Sequence, residues 1–346
     1  MTNTSQTKLQ NIELLRPFIV LLIVVNHCFA VYSGVWVSPW EEMPDVPVYK
    51  WLQRVSICCT LQLFTFISGY IFAYQSAHGK NTDFWQLVKK KLQRLILPCA
   101  LFGVIYYCIK IPFAQMSFAS FCQNMNNGMG HLWFLPMLFW CFVFTFILDR
   151  LNKNIELSPW LILSGLFAVS IVSPLCPNII GFGNALRYWV YFYFGQLCMQ
   201  NKILTKITRG GQIIILGIIY ALLLGIYYYY VDNRAIIDSN KLFFIPYKLL
   251  DFLTRICGIM FFMAMATYIA NKLQSVPKWI KDISALSFGV YIFHQIIIDV
   301  IYYKTSLPYL LGEIWLPWFA LLVTTLLSFM LTFFLKKTRI GNFLIG

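Results

Sequence analysis

Residues 12–33 read IELLRPFIVLLIVVNHCFAVYS. An apolar run of this length crosses a bilayer core as a helix, which takes about 20 such residues. Glu13 and Arg16 stand at its start and no small-residue cleavage site follows, so it reads as a retained helix and not a signal peptide. The same pattern recurs along the 346 residues. Ten candidate spans result, at 12–33, 55–76, 95–112, 131–149, 158–175, 186–200, 212–231, 244–270, 284–303 and 315–335. Those at 186–200, which is short, and 244–270, which is long and carries charges, have the weakest signals. Composition agrees: 59% of residues are hydrophobic and 12% charged, with a mean hydropathy of +0.68. A soluble domain carries about 25% charged residues, so this chain has too few to cover a water-facing surface. The expected fold class is an all-α polytopic membrane bundle, one embedded domain over 1–346 with no fused soluble domain.

The net charge of +14 invites a nucleic-acid reading, but its distribution excludes one. Positive residues cluster in alternate loops, as in proteins oriented by the positive-inside rule. With the N-terminus cytoplasmic, inside segments hold 17 Lys and Arg and outside segments 6. Both termini are therefore expected in the cytoplasm. Residues 77–94 read as a short basic amphipathic helix on the inner surface, with Trp85, Leu87 and Leu92 as apolar contacts. Eight of the ten cysteines lie inside apolar stretches and no C-x-x-C spacing occurs. They read as small buried residues, not a disulfide framework or a redox motif, although Cys122 and Cys176 in loops could pair.

Ionisable residues within a span are costly and so mark candidate sites. Arg16 and His27 are eleven residues apart, three helical turns plus about 20°, which places them on one face about 16 Å apart along the axis. That spacing suits a polar channel with the arginine near the cytoplasmic mouth and the histidine well inside. Ser287, Tyr291 and His294 share a face at i, i+4 and i+7, fitting either a site or helix–helix hydrogen bonding. His131, beside Trp133, reads equally as an interfacial anchor or a substrate contact, and His78 as solvated. Asp251 and Arg255, at i and i+4, neutralise each other. Ser68-Gly69 fits either close helix packing or a ligand contact. Lys91 and Arg94 serve either as an orientation signal or as a holder of phosphate. No metal-binding spacing is present, and no metal is expected.

In this order the motifs resemble the type-3 acyltransferase family of multi-spanning membrane proteins that acylate carbohydrates. The resemblance rests on Arg16-x(10)-His27, Ser68-Gly69-Tyr70, Lys91 and Arg94 before Pro98, Leu132-Trp133-Phe134-Leu135, Phe194-Gly195, and Ser287-x(3)-Tyr291-x(2)-His294. Thr65 and Lys91 stand where the family often has Phe and Arg. The resemblance implies a ten-helix core in a bacterial inner membrane and acyl-CoA, usually acetyl-CoA, as the donor co-substrate, with no tightly bound cofactor. It further implies a carbohydrate or glycan hydroxyl as acceptor and His27 as general base, a role suited to an imidazole that titrates near neutrality. Arg16, Ser68, Lys91, Arg94, Trp133, Tyr291 and His294 are the expected substrate-binding residues. The carboxylate that orients His27 stays open among Glu41, Glu42, Asp251 and Asp299. The competing class is a transporter or flippase for a glycan or lipid-linked sugar; it predicts repeated halves, and the sequence has no visible repeat.

Overall fold

The computed structural model describes residues 4–111, 115–126, 128–207, 209–233 and 244–345, with side chains from Leu9 onward. Arg234 and Lys241, counted among the outer charges, lie outside the described residues, as does part of the 113–130 loop. Among the described residues all regular structure is helical. The chain runs α1 (Thr4–Cys28), α2 (Pro47–Ile57), α3 (Thr60–Ala77), α4 (Phe84–Lys91), α5 (Leu97–Lys110), α6 (Phe118–Asn126), α7 (Phe134–Ile155), α8 (Pro159–Val172), α9 (Phe182–Gln200), α10 (Gly210–Asp232), α11 (Phe244–Lys272), α12 (Lys278–Tyr303), α13 (Leu307–Lys337) and α14 (Arg339–Ile345). The protein is a polytopic membrane helix bundle.

Eight helical segments among the described residues are long and apolar enough to cross a bilayer: Leu9–Cys28, Pro47–Ala77, Phe84–Lys110, Gly130–Ile155, Gly210–Asp232, Phe244–Lys272, Lys278–Tyr303 and Leu307–Lys337. The expected spans at 158–175 and 186–200 are both helical but differ from these. α8 has 14 residues and continues into a 3-10 turn at Ser173–Leu175. α9 has 19 residues but carries Asn184, Arg187 and Gln196, and much of it is enclosed by its neighbours.

Helix surfaces separate by solvent. α10 and α13 leave Ile214, Ile215, Ile218, Leu222, Leu322, Leu326 and Met330 exposed, an apolar exterior that suits lipid. α3 and α9, the pair that pack most extensively, form the centre. Their backbones meet through Gly69 against the Phe192 carbonyl and Gly195 against the Phe66 carbonyl, where a Cβ on either glycine would overlap the facing oxygen. Small residues permit this approach, and in lipid such close packing replaces the absent hydrophobic drive between helices.

The basic stretch before the third span is not a separate surface helix. α4 starts at Asp83, whose side chain accepts from the Gln86 N–H at 2.7 Å, a helix N-cap. It then runs through a π-helical turn at Leu92–Ile96 directly into α5. Pro98 supplies the reason for the wide turn. It has no N–H to bond the Arg94 carbonyl one turn earlier, and the Leu97 N–H reaches back to the Leu92 carbonyl instead. Leu87 is buried in the core, whereas Trp85 and Leu92 are exposed. A lysine run looks the same in sequence whether its helix lies on a membrane or enters one.

Charged pairs brace the bundle away from its centre. Arg255 donates to Asp251 at 2.8 Å and also to the Cys58 carbonyl, so this pair neutralises itself as its i, i+4 spacing requires. Arg54 ties α2 to the end of α10 through Asp232, at 2.8 Å from Nη1. Cys122 and Cys176 are both free thiols.

Candidate active site between two cavities

A cavity of about 500 Å³ opens at the end of the bundle where α1 begins and α13 ends. Arg16 from α1, Lys91 and Arg94 from the π-helical region, and Lys336 from the end of α13 line it, with no aspartate or glutamate among its lining residues. Four basic side chains around one hollow whose lining holds no acidic residue make an anion site. The π-helical turn adds a residue to the helical repeat, which changes the direction in which Arg94 projects relative to α5. Lys91 Nζ lies 3.4 Å from the centre of the Phe142 ring, a contact that holds an ammonium in an otherwise apolar wall. Ser68, Ser287 and Gln75 supply neutral polar groups, and Leu344 and Ile345 of α14 close one side. Ser68 Oγ donates to the Phe64 carbonyl at 2.9 Å, while its neighbour Gly69 makes the α3–α9 contact. The Ser-Gly pair thus serves the cavity and the packing at once.

Tyr291 forms part of the deep wall, and beyond it three histidines meet. His294, wholly buried, has its ring centre 5.1 Å from that of His27 and 4.8 Å from that of His131. His294 Nδ1 donates to the Tyr291 carbonyl at 2.7 Å, and His131 Nε2 donates to the Ile292 carbonyl at 3.0 Å. Backbone acceptors therefore fix both tautomers, since only a protonated nitrogen can donate. Among the described residues the remaining nitrogens, His294 Nε2 and His131 Nδ1, are buried lone pairs with no partner, and His27 Nδ1 is likewise buried and unpartnered. Each such atom costs about 1–3 kcal/mol unless something hydrogen-bonds it. Among the described residues no cluster of histidine, cysteine or carboxylate is arranged to hold a metal.

Local structure brings these rings together. His27 lies in the last turn of α1, and Asn26 beside it accepts from Gln53 at 2.7 Å, tying α1 to α2. His131 stands in the 3-10 turn Gly130–Trp133. Gly130 has φ +61°, and a Cβ there would meet the Tyr106 ring at 2.6 Å. A side chain at Gly130 would therefore separate His131 from Tyr106, whose rings are 5.9 Å apart. Tyr291 donates its hydroxyl to the His131 carbonyl, closing the turn onto α12.

On the far side of the histidines a second cavity of about 380 Å³ is lined by Trp36, Lys110, Asp299, Tyr303 and Lys304, among others. Trp36 stacks on His27, centres 5.4 Å apart and planes 23° apart. The histidine layer thus sits between a basic cavity and an aromatic one.

Of the residues singled out in the sequence, Arg16, Ser68, Lys91, Arg94 and Tyr291 line the basic cavity. His27 and His294 touch each other deeper in. Trp133 lines neither cavity; its ring packs edge-on against Tyr188 at 5.7 Å. None of the four carboxylates left open in the sequence hydrogen-bonds His27 among the described residues; the group nearest to an orienting partner is the His294 imidazole. His131 was read equally as an interfacial anchor or a substrate contact, whereas Tyr106, Trp36 and Lys336 were missed as site residues. No motif in the sequence pointed to those three.

A family model described as an acyltransferase domain matches residues 9–335. No curated protein and no solved structure matches the chain. With the Arg16–His27 helix, His131, His294 and all of the basic cavity's lining except Lys336, Leu344 and Ile345 inside the matched stretch, the chain belongs to the type-3 acyltransferase family of membrane proteins.

Proposed function

We propose that the protein moves an acetyl group from acetyl-CoA, entering on the cytoplasmic side, to a hydroxyl of a carbohydrate or glycan, in a bacterial inner membrane with both termini inside. One observation carries this reading: a cavity lined by Arg16, Lys91, Arg94 and Lys336 ends at Tyr291, next to three imidazoles with unpartnered nitrogens. The cations suit the phosphates of the donor, and the roughly 16 Å between Arg16 and His27 along α1 suits its pantetheine arm. His27, the only one of the three that is not fully enclosed, is the general base. It takes the proton of the acceptor hydroxyl as that oxygen attacks the thioester carbonyl. The carbon–sulfur bond then breaks, and the departing thiolate takes the proton back from the imidazolium, yielding the ester and free CoA. His294, fixed by backbone carbonyls, holds the His27 ring and shares the transient charge. The test is release of free thiol from acetyl-CoA by membranes carrying the protein, dependent on added glycan. A glycan-independent or absent release contradicts the reading.

Arg16→Ala and Arg94→Ala should each raise KM for acetyl-CoA about tenfold or more with a smaller change in kcat, because phosphate contacts persist from ground to transition state. Arg16→Lys should recover only part of this, having no planar fork. Unchanged kinetics at normal abundance in both alanine variants would remove the phosphate-binding role. For orientation, exposed Cys122 should react with an impermeant maleimide added outside intact cells. Reaction only after permeabilisation would place the basic cavity outside.

A further inference from the structure

Asp299 is a buried carboxylate at the wall of the second cavity, 6% exposed. Its Oδ2 accepts the Tyr106 hydroxyl at 2.8 Å. That hydroxyl in turn accepts from Gln295 Nε2 at 3.0 Å and Lys110 Nζ at 3.1 Å. Tyr106 oxygen is thus saturated, with one hydrogen donated and two accepted, so it cannot swing and neither can the carboxylate it holds. Gln295 and Asp299 grip it from successive turns of α12. Among the described residues Asp299 Oδ1 takes no hydrogen bond. A rigid carboxylate with one oxygen bonded to the protein and the other open at a cavity wall is half of a recognition contact.

The rest of the cavity tells which partner fits. Its volume is in the range of small-ligand sites. Trp36 and Tyr303, ring centres 6.4 Å apart, offer aromatic surface, while Asp299, Lys110 and Lys304 form a polar rim. An amphipathic ring, with C–H faces and a hydroxyl edge, satisfies both at once. Trp36 also stacks on His27, so a ring lying against Trp36 is one side chain from the base. Asp299 lies five residues past His294 on α12, about 7.5 Å along the axis, comparable with the span of one pyranose ring and its substituents.

We infer that this cavity binds a sugar ring of the acceptor, and that Asp299 Oδ1 accepts a hydrogen bond from a hydroxyl other than the reacting one, so fixing which hydroxyl reaches His27. Asp299 is a specificity-determining residue, held by Tyr106. The inference rests on the acyl-transfer reading above. A site built to bond a hydroxyl discriminates strongly because the wrong pose leaves a buried group unpaired.

The test is to express Asp299→Asn, Tyr106→Phe and Trp36→Ala in cells lacking the native gene. The acetyl positions on the surface glycan are then mapped by NMR, and acetyl-CoA affinity is measured on the purified full chains. Native protein should give one acetylated position. Asp299→Asn and Tyr106→Phe should bind acetyl-CoA within about twofold of native, lower total acetylation at least tenfold and spread the remainder over more than one hydroxyl. If neither accumulates, Trp36→Ala, at a partly exposed side chain, should show the same loss with donor binding kept. Variants that keep native yield and a single native position would overturn the inference while leaving acyl transfer standing. Loss of acetyl-CoA affinity in all three would show a purely structural role and also overturn it. A native protein that transfers nothing would remove both readings.

Discussion

His27→Ala is expected to abolish acyl transfer, by about 10²- to 10⁴-fold, the usual contribution of a general base, while the protein still inserts and binds acetyl-CoA. Two features of the site make this separation of effects sharp. Among the described residues His27 Nδ1 has no partner, so its removal breaks no hydrogen bond there. The donor cations Arg16, Lys91, Arg94 and Lys336 line a cavity that His27 does not touch, so binding should persist. His294→Ala should lower kcat less than His27→Ala, because His294 is fully buried and its Nδ1 is engaged by backbone. An active, abundant His27→Ala protein would move the base to His294 or His131, the two other rings with a free nitrogen.

The second large effect is on folding. Gly195→Leu or Gly69→Leu should prevent accumulation of the protein in the membrane, since either side chain must displace the backbone carbonyl facing it across α3 and α9. Overpacking a dense core already costs about 1–3 kcal/mol, and here the obstacle is main chain that cannot rotate away. Gly165→Leu in α8 is the control: a Cβ there meets nothing within 4 Å, and that variant should accumulate normally. The check is abundance of membrane-inserted protein by immunoblot and its thermal melting in detergent. Normal levels of Gly195→Leu and Gly69→Leu would show that α3 and α9 are not so closely packed.

Much of this was legible because the membrane forces simple rules. Apolar runs located the long helices, though not α2, α6 or α14, and the eleven-residue interval placed Arg16 and His27 along one helix with the arginine at the cavity and the histidine deep inside. The rest depends on what neighbouring helices do, which one chain's spacing does not encode. His131 precedes a tryptophan at the start of an apolar run, which is also how an interfacial anchor looks. Only the Gly130 turn, closed against Tyr106 and α12, draws it inward onto His294. Trp133, two residues on, is turned by the same 3-10 geometry away from the cavities and onto Tyr188. The basic helix at 84–91 was misplaced because a missing N–H at Pro98 is accommodated by a π-turn rather than a break. Asp299 had no local partner in sequence because its partner, Tyr106, is 193 residues away.

The most direct measurement reconstitutes the purified full chain in vesicles, supplies acetyl-CoA labelled in the acetyl group, and adds glycan isolated from cells lacking the gene. Ester-linked label should appear on the glycan in equal amount to the free thiol released, and His27→Ala should reduce both to background. Glycan crossing the vesicle membrane with no label attached and no thiol released would contradict the acyltransferase account and favour a transporter.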